Sequence, residues 1–245
     1  MALGTVTVPY GPRFDTGRIC LDLLSTAHPG ERLAALEPLR AWIAGSGLVP
    51  PGTPLAHADA SWPAAFRELR SDIGQLVRDC LATGKRPYGT GGGTGTGGGT
   101  GGGAGTRVGG GGAGTGGAGA YAEDVPPHEP VTSRPYGLAL ARVNDVARAA
   151  PPAPRAVRGE DGALVRELAG PPECAALLAA VARDAVELLT DPVARSALRQ
   201  CAGDDCPIVY LDNSRGHRRR WCSSEVCGNR ERVARHRRRA ALARH

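Results

Sequence analysis

The stretch Cys201-Ala202-Gly203-Asp204-Asp205-Cys206, followed after fifteen residues by Cys222-Ser223-Ser224-Glu225-Val226-Cys227, decides how the end of this chain folds. Four of the seven cysteines fall within these 27 residues, as two pairs of equal spacing. Two thiol pairs joined by a hairpin-length spacer suit a closed tetrahedral zinc site, with Zn–S of about 2.3 Å. Between the pairs, Ile208-Val209-Tyr210-Leu211 reads as a strand, Asp212 to Gly216 as a turn and His217 to Trp221 as a return strand. The chain after Cys222 reads as a helix with Ser223 or Ser224 near its cap. The stripe Val226, Val233 and Ala240 is expected to pack on the hairpin. Together these features describe a treble-clef finger holding one structural Zn2+ through Cys201, Cys206, Cys222 and Cys227. Disulfides or unrelated buried thiols are the competing readings, and four thiolates leave no open position for a catalytic zinc. A unit of this size has too little core to fold without such a staple.

Charge is concentrated on the same segment. From Cys201 to His245 eleven arginines face five acids, which leaves +6, the net charge of the whole chain. Residues 1–200 therefore sum to zero. From Arg215 onward the only acids are Glu225 and Glu231, and the local excess is +9. One lysine in the chain, Lys85, stands against 29 arginines, a bias that genome composition alone can produce, so clustering carries more weight than arginine identity. Arg232, Arg235 and Arg239 share a face of the final helix, Arg218, Arg219 and Arg220 extend the patch, and Arg230 and Arg238 complete the set of candidates. These eight residues are the candidate nucleic-acid contacts. A basic helix favours double-stranded DNA over RNA, since Trp221 and Tyr210, the aromatics available for stacking, read as core residues of the hairpin.

Outward from the finger, the chain divides in composition. Residues 89–120 hold 20 glycines in 32 positions, too little apolar surface to offset the entropy of ordering. The GxGxxG patterns there follow no strand and open no helix, so they carry no dinucleotide site. Before and after this insertion, apolar periodicity predicts helices over Glu31–Ala44, Ala64–Ala82, Leu138–Ala149, Cys174–Leu189 and Val193–Gln200, with a β-hairpin around Gly159-Glu160-Asp161-Gly162. The expected class is α+β: a mainly helical N-terminal domain with a small β-hairpin, then the finger. The expected domains are 12–195, interrupted by a Gly/Pro-rich insertion at 84–135, and 196–245.

No basic and apolar leader opens the sequence, and the most apolar run, Cys174–Leu189, is broken by Arg183, Asp184 and Glu187. The expectation is a cytoplasmic, nucleoid-associated protein without membrane contact, in which thiols stay reduced. Cys20, Cys80 and Cys174 lack partners and read as small core residues. No HExxH, G-x-S-x-G or P-loop is present, and His128-Glu129 has no cysteines near it, so no catalytic residue is nominated and an enzyme is not expected.

Trp221-Cys222-Ser223 and Cys227-Gly228-Asn229-Arg230, followed by a basic helix, resemble the CGNR zinc finger family. Leu198-Arg199-Gln200-Cys201, Val209-Tyr210-Leu211-Asp212 and Arg218-Arg219-Arg220-Trp221 fit the same pattern. In that family the finger follows an ABATE domain. Ile19-Cys20-Leu21-Asp22-Leu23-Leu24-Ser25-Thr26 is similar to the opening of that domain and Leu39-Arg40-Ala41-Trp42-Ile43 to its first long helix. Ser25 stands where the family usually has Asn. The resemblance implies a stress-induced transcription regulator: a finger that contacts DNA and an N-terminal domain that senses a small-molecule effector or mediates association, for instance as a homodimer. The alternative is a zinc-stabilised protein- or RNA-interaction module with thiol redox sensing.

Overall fold

The computed structural model describes residues 12–84 and 135–242 of the 245-residue chain; the glycine-rich insertion and Arg244 lie outside the described residues. In chain order the elements are α1 (Ile19–Ser25), α2 (Leu36–Gly45), α3 (Trp62–Gly84), α4 (Tyr136–Ala147), β1 (Pro154–Arg158), β2 (Leu164–Leu168), α5 (Cys174–Thr190), α6 (Pro192–Ser196), β3 (Leu198–Gln200), β4 (Val209–Leu211) and α7 (Cys227–Leu242). The class is α+β, as expected, with two separate antiparallel two-stranded sheets, β1–β2 and β3–β4.

The core forms where helical stripes meet. Leu177, Val181, Ala185 and Leu188 recur at three- and four-residue spacing on α5 and are fully buried. They pack with Phe66, Ile73 and Val77 of α3 and with Cys20, Leu21 and Leu23 of α1. The Trp42 ring of α2 meets Phe66 edge-on, with centroids 5.9 Å apart. An ionic clamp fixes α1 against α5. Arg18 reaches the Asp184 carboxylate at 2.7 Å, and that carboxylate also accepts the Cys20 N–H at 2.9 Å.

Three helices differ from the sequence reading. The expected helix from Glu31 begins only at Leu36. Glu31 instead accepts the Leu33 N–H and pairs with Arg70 across the loop, while Leu33 stays buried. The expected helix Val193–Gln200 ends at Ser196. Asp191 caps it by accepting the Val193 N–H at 2.8 Å, and Pro192 sits in its first turn. Leu198–Gln200 then leaves as β3 because pairing with β4 buries Leu198 and Leu211 in the N-terminal core. Finally, α1 adds a helix to the expected set: seven residues buried on several sides show little periodicity in the sequence. The Gly159–Gly162 turn is where it was expected, with the Gly159 N–H bonded to Ala163 O at 2.8 Å and Gly162 at φ 82°.

Asp22 of α1 is a buried carboxylate whose Oδ1 accepts the Thr16 N–H and hydroxyl at 3.2 and 2.8 Å. Burial outweighs those donors and pushes its pKa up to about 6. A raised acid pKa means that ionisation favours the unfolded chain. Between about pH 4 and pH 6 the folded protein therefore loses stability as pH rises, by a total on the order of 3 kcal/mol. Asp22→Asn keeps the acceptor without the charge. In urea unfolding it is expected to match the wild type near pH 4 and exceed it at pH 8; a pH-independent difference would contradict the assignment.

Candidate metal centre and basic face

The chain brings its two cysteine pairs together through short-range bonds. Cys201 follows β3 and bonds its N–H to Ile208 O at 2.9 Å. The intervening turn places Asp205 at φ 57° and bonds the Cys206 N–H to Gly203 O. A Cβ at Gly203 would meet Cys227 Cβ at 3.4 Å, at the near limit of ordinary contact, so the first knuckle lies directly against the second. Cys222 is anchored beside it because Arg220 O accepts the Ala202 N–H at 2.8 Å. Ser223 supplies the cap foreseen for the last helix: its Oγ accepts the Val226 N–H and its carbonyl the Gly228 N–H. Cys227 then opens α7. Ile208 and Tyr210, with Trp221 and Val226 partly covered, form a small apolar cluster around the four thiols.

The four Sγ atoms lie within 4.8 Å of one another. Cys206–Cys222 and Cys222–Cys227 are separated by 3.6 and 3.5 Å. The edge of a ZnS4 tetrahedron is about 3.8 Å for Zn–S of about 2.3 Å, whereas a disulfide needs about 2.05 Å. All seven cysteines are free thiols. Cys201 Sγ accepts backbone N–H groups from Cys222 at 3.3 Å and Gly203 at 3.4 Å. Burial opposes ionisation of Cys201, but those donors together with the Cys222 and Cys206 thiols outweigh it and lower its pKa. Burial and the neighbouring thiols push Cys206 up to about 11 and Cys227 further in the same direction. Four thiolates packed this closely repel one another unless a cation sits among them. The donor set is therefore consistent with one structural zinc, which supplies that charge and closes the fold.

Two expectations about the finger are corrected. His217–Trp221 is not a return strand. The buried Asp212 carboxylate takes the N–H groups of Ser214 and Arg219 at 3.0 and 3.1 Å, and His217 adopts φ 50°. A side chain thus replaces the ladder that a strand would offer, and β4 pairs across the first knuckle with β3 instead. The stripe Val226/Val233/Ala240 does not pack on a hairpin either, because Val233 is 44% exposed and only the first turn of α7 is buried. His217 is held away from the thiols, with Nδ1 at 2.8 Å from Asp212 O.

Sequence reasoning missed Arg13. Its Nη1 donates to Cys222 Sγ at 3.0 Å and its Nη2 to Cys222 O at 2.7 Å, across 209 positions of chain. Asp15 bonds the same guanidinium at 2.8 Å. No local pattern marks a residue that acts at such separation. A guanidinium on a metal thiolate disperses its charge and orients the ligand. Arg13→Ala is expected to weaken zinc retention by about 10- to 100-fold in competition with a chromogenic chelator; unchanged retention would show that the contact does not support the metal.

The eight candidate nucleic-acid residues do not share one environment. Arg218, Arg220, Arg230, Arg232, Arg235, Arg238 and Arg239 are exposed. Arg219 is half-buried: its guanidinium lies 4.5 Å from the Tyr210 ring centroid and donates to Trp221 O at 3.0 Å and to Cys222 O. It braces the finger from inside. Arg220 stacks on Trp221 at 5.4 Å, Arg238 pairs with Glu231 at 2.8 Å, and Arg232 reaches Ser224 O at 3.4 Å. Arg232, Arg235 and Arg239 recur at helical spacing on α7, away from the turn that holds Cys227. Cys20, Cys80 and Cys174 lie apart from the metal centre. Burial raises all three thiols, Cys174 to about 11, which suits inert core residues.

Two family models match the chain. The ABATE family, described as "Putative stress-induced transcription regulator", matches residues 17–192, and the CGNR zinc finger matches residues 197–240. Neither is an enzyme family. No curated protein matches the chain. Among the described residues, no helix is long and apolar enough to cross a membrane.

Proposed function

Because the chain belongs to the ABATE family and ends in a CGNR zinc finger, we propose that it is a DNA-binding transcription regulator and not an enzyme. Cys201, Cys206, Cys222 and Cys227 hold the zinc, and the finger of residues 196–245 carries the DNA-binding surface. Residues 12–195 form the domain that senses an effector or mediates association. The observation that carries this reading is the exposed arginine face of α7 formed by Arg232, Arg235 and Arg239; Arg218 and Arg220 are exposed in the segment before Cys222, and Arg230 is exposed on the other side of the helix, bordering the cleft toward the N-terminal helices. Arg238 joins it at the edge, and Arg219 contributes by holding the return segment in place.

The chemistry of the contact is simple. Guanidinium groups pair bidentately with phosphate oxygens, and a helix bearing them on one face suits the major groove. The metal's part is structural: it fixes the start of α7 against the two knuckles. A protein with these properties acts at the nucleoid. The test is fluorescence anisotropy of zinc-loaded protein on a labelled random duplex. Arg235→Ala/Arg239→Ala is expected to lower affinity and reduce the slope of log K against log salt by about 2. Wild-type affinity for duplex in that variant, or a preference of the wild type for single-stranded RNA, would overturn the reading.

A further inference from the structure

We propose that the cleft between the N-terminal helices and the finger binds a small organic monoanion with an apolar body, such as an aromatic or branched carboxylate. This rests on, and makes specific, the effector-sensing half of the function proposed above. The cleft has a volume of about 400 Å³, within the range of about 300–1,000 Å³ usual for small-molecule sites. One wall comes from the end of α1, the following loop and α2, through Pro29, Leu33 and Trp42. The opposite wall comes from the finger, through Pro207, Ile208 and Val226.

Polar chemistry at the cleft is one-sided. Arg13, Arg32, Arg230 and His28 border it, against the single acid Asp205; Arg13 also holds Asp15 and Cys222, and Arg32 Nε donates to His28 O. A guanidinium donates and never accepts, so the polar end of an occupant meeting these groups must be an acceptor. A carboxylate matches their planar fork, whereas a multiply charged phosphate would be poorly solvated against such apolar walls. The hydroxyls nearby are already committed, Ser25 Oγ donating to Asp22 O and Thr26 Oγ1 to Leu23 O.

The placement also explains how an occupant reaches the metal centre. Cys206 and Cys227 line the same cleft, and Arg13 touches both the cleft and Cys222. A ligand here bridges the N-terminal helices to both knuckles of the finger.

The test titrates zinc-loaded full-length protein with 1-anilinonaphthalene-8-sulfonate, an apolar monoanion whose fluorescence rises on binding, without DNA. One saturable site is expected. Ala41→Trp, which adds bulk at the cleft wall, and Val226→Trp, which does so from the finger side, should each weaken binding by at least about tenfold. Arg32→Gln should weaken this probe similarly but leave the neutral N-phenyl-1-naphthylamine unchanged. Circular dichroism and zinc content verify that each variant is folded. No saturable binding by the wild type, or undiminished binding in a folded variant filled from either wall, overturns the site. Equal affinity for the neutral probe overturns the anionic assignment. Since DNA is absent throughout, failure here leaves the arginine surface untouched, and failure of DNA binding leaves this site untouched.

Discussion

Cys222→Ser is expected to leave the protein with essentially no bound zinc and without an ordered α7. Structural zinc in such sites contributes on the order of 10–16 kcal/mol, far more than any other interaction in a finger of this size. Cys222 is also the thiol with the most to lose. Its sulfur lies within 3.6 Å of both Cys206 and Cys227, and it takes Arg13 on the outside. Only the first turn of α7 is buried, and the helix beyond it carries five arginines and leaves Val233 and Leu242 exposed. Without the metal, α7 has neither a packed face nor the length to persist alone. The strands β3 and β4 should survive better, because Leu198 and Leu211 belong to the N-terminal core rather than to the metal cluster. The measurement is zinc stoichiometry together with far-ultraviolet circular dichroism, for this variant and for Cys201→Ser. Full zinc content in either would refute the four-cysteine assignment.

The second large effect is electrostatic. With five or six arginines neutralising phosphates, log K for duplex DNA should fall against log salt with a slope of about −5. Affinity then drops about 10³-fold between 50 and 200 mM salt. The arginines differ in how far they are already engaged within the chain. Arg219 is spent on Tyr210 and the Trp221 and Cys222 carbonyls, and Arg238 is paired with Glu231. Arg235→Ala/Arg239→Ala should therefore reduce the slope more than Arg219→Ala does, while Arg219→Ala should act through loss of finger stability. If Arg219→Ala left stability intact and lowered the salt slope, the division between brace and contact would be wrong.

Much of this molecule was legible in the sequence because its determinants are local. The paired cysteine spacing set the metal centre, helical stripes located α3 and α5, and Gly159–Gly162 located the β1–β2 turn. What escaped depends on contacts between distant segments. Leu198–Gln200 continues a helical pattern but becomes a strand because β4 and the α1 region offer it burial. The segment His217–Trp221 reads as the return arm of a hairpin from its place after the Asp212–Gly216 turn, yet the buried Asp212 carboxylate captures the Ser214 and Arg219 N–H groups instead. Arg13 lies 209 positions from the sulfur it touches, and the cleft beside it exists only because the finger folds back on α1 and α2. Charge followed the same rule: its clustering was visible in the sequence, but which arginines are already engaged was not.

The most direct test of the account is the affinity of full-length protein for a labelled duplex, measured across 50–200 mM salt before and after zinc removal. Binding with a slope of about −5 is expected in the zinc-loaded protein, with loss on chelation and recovery on adding zinc. Duplex binding that is indifferent to zinc, or a zinc-loaded protein that does not bind duplex at low salt, would contradict it.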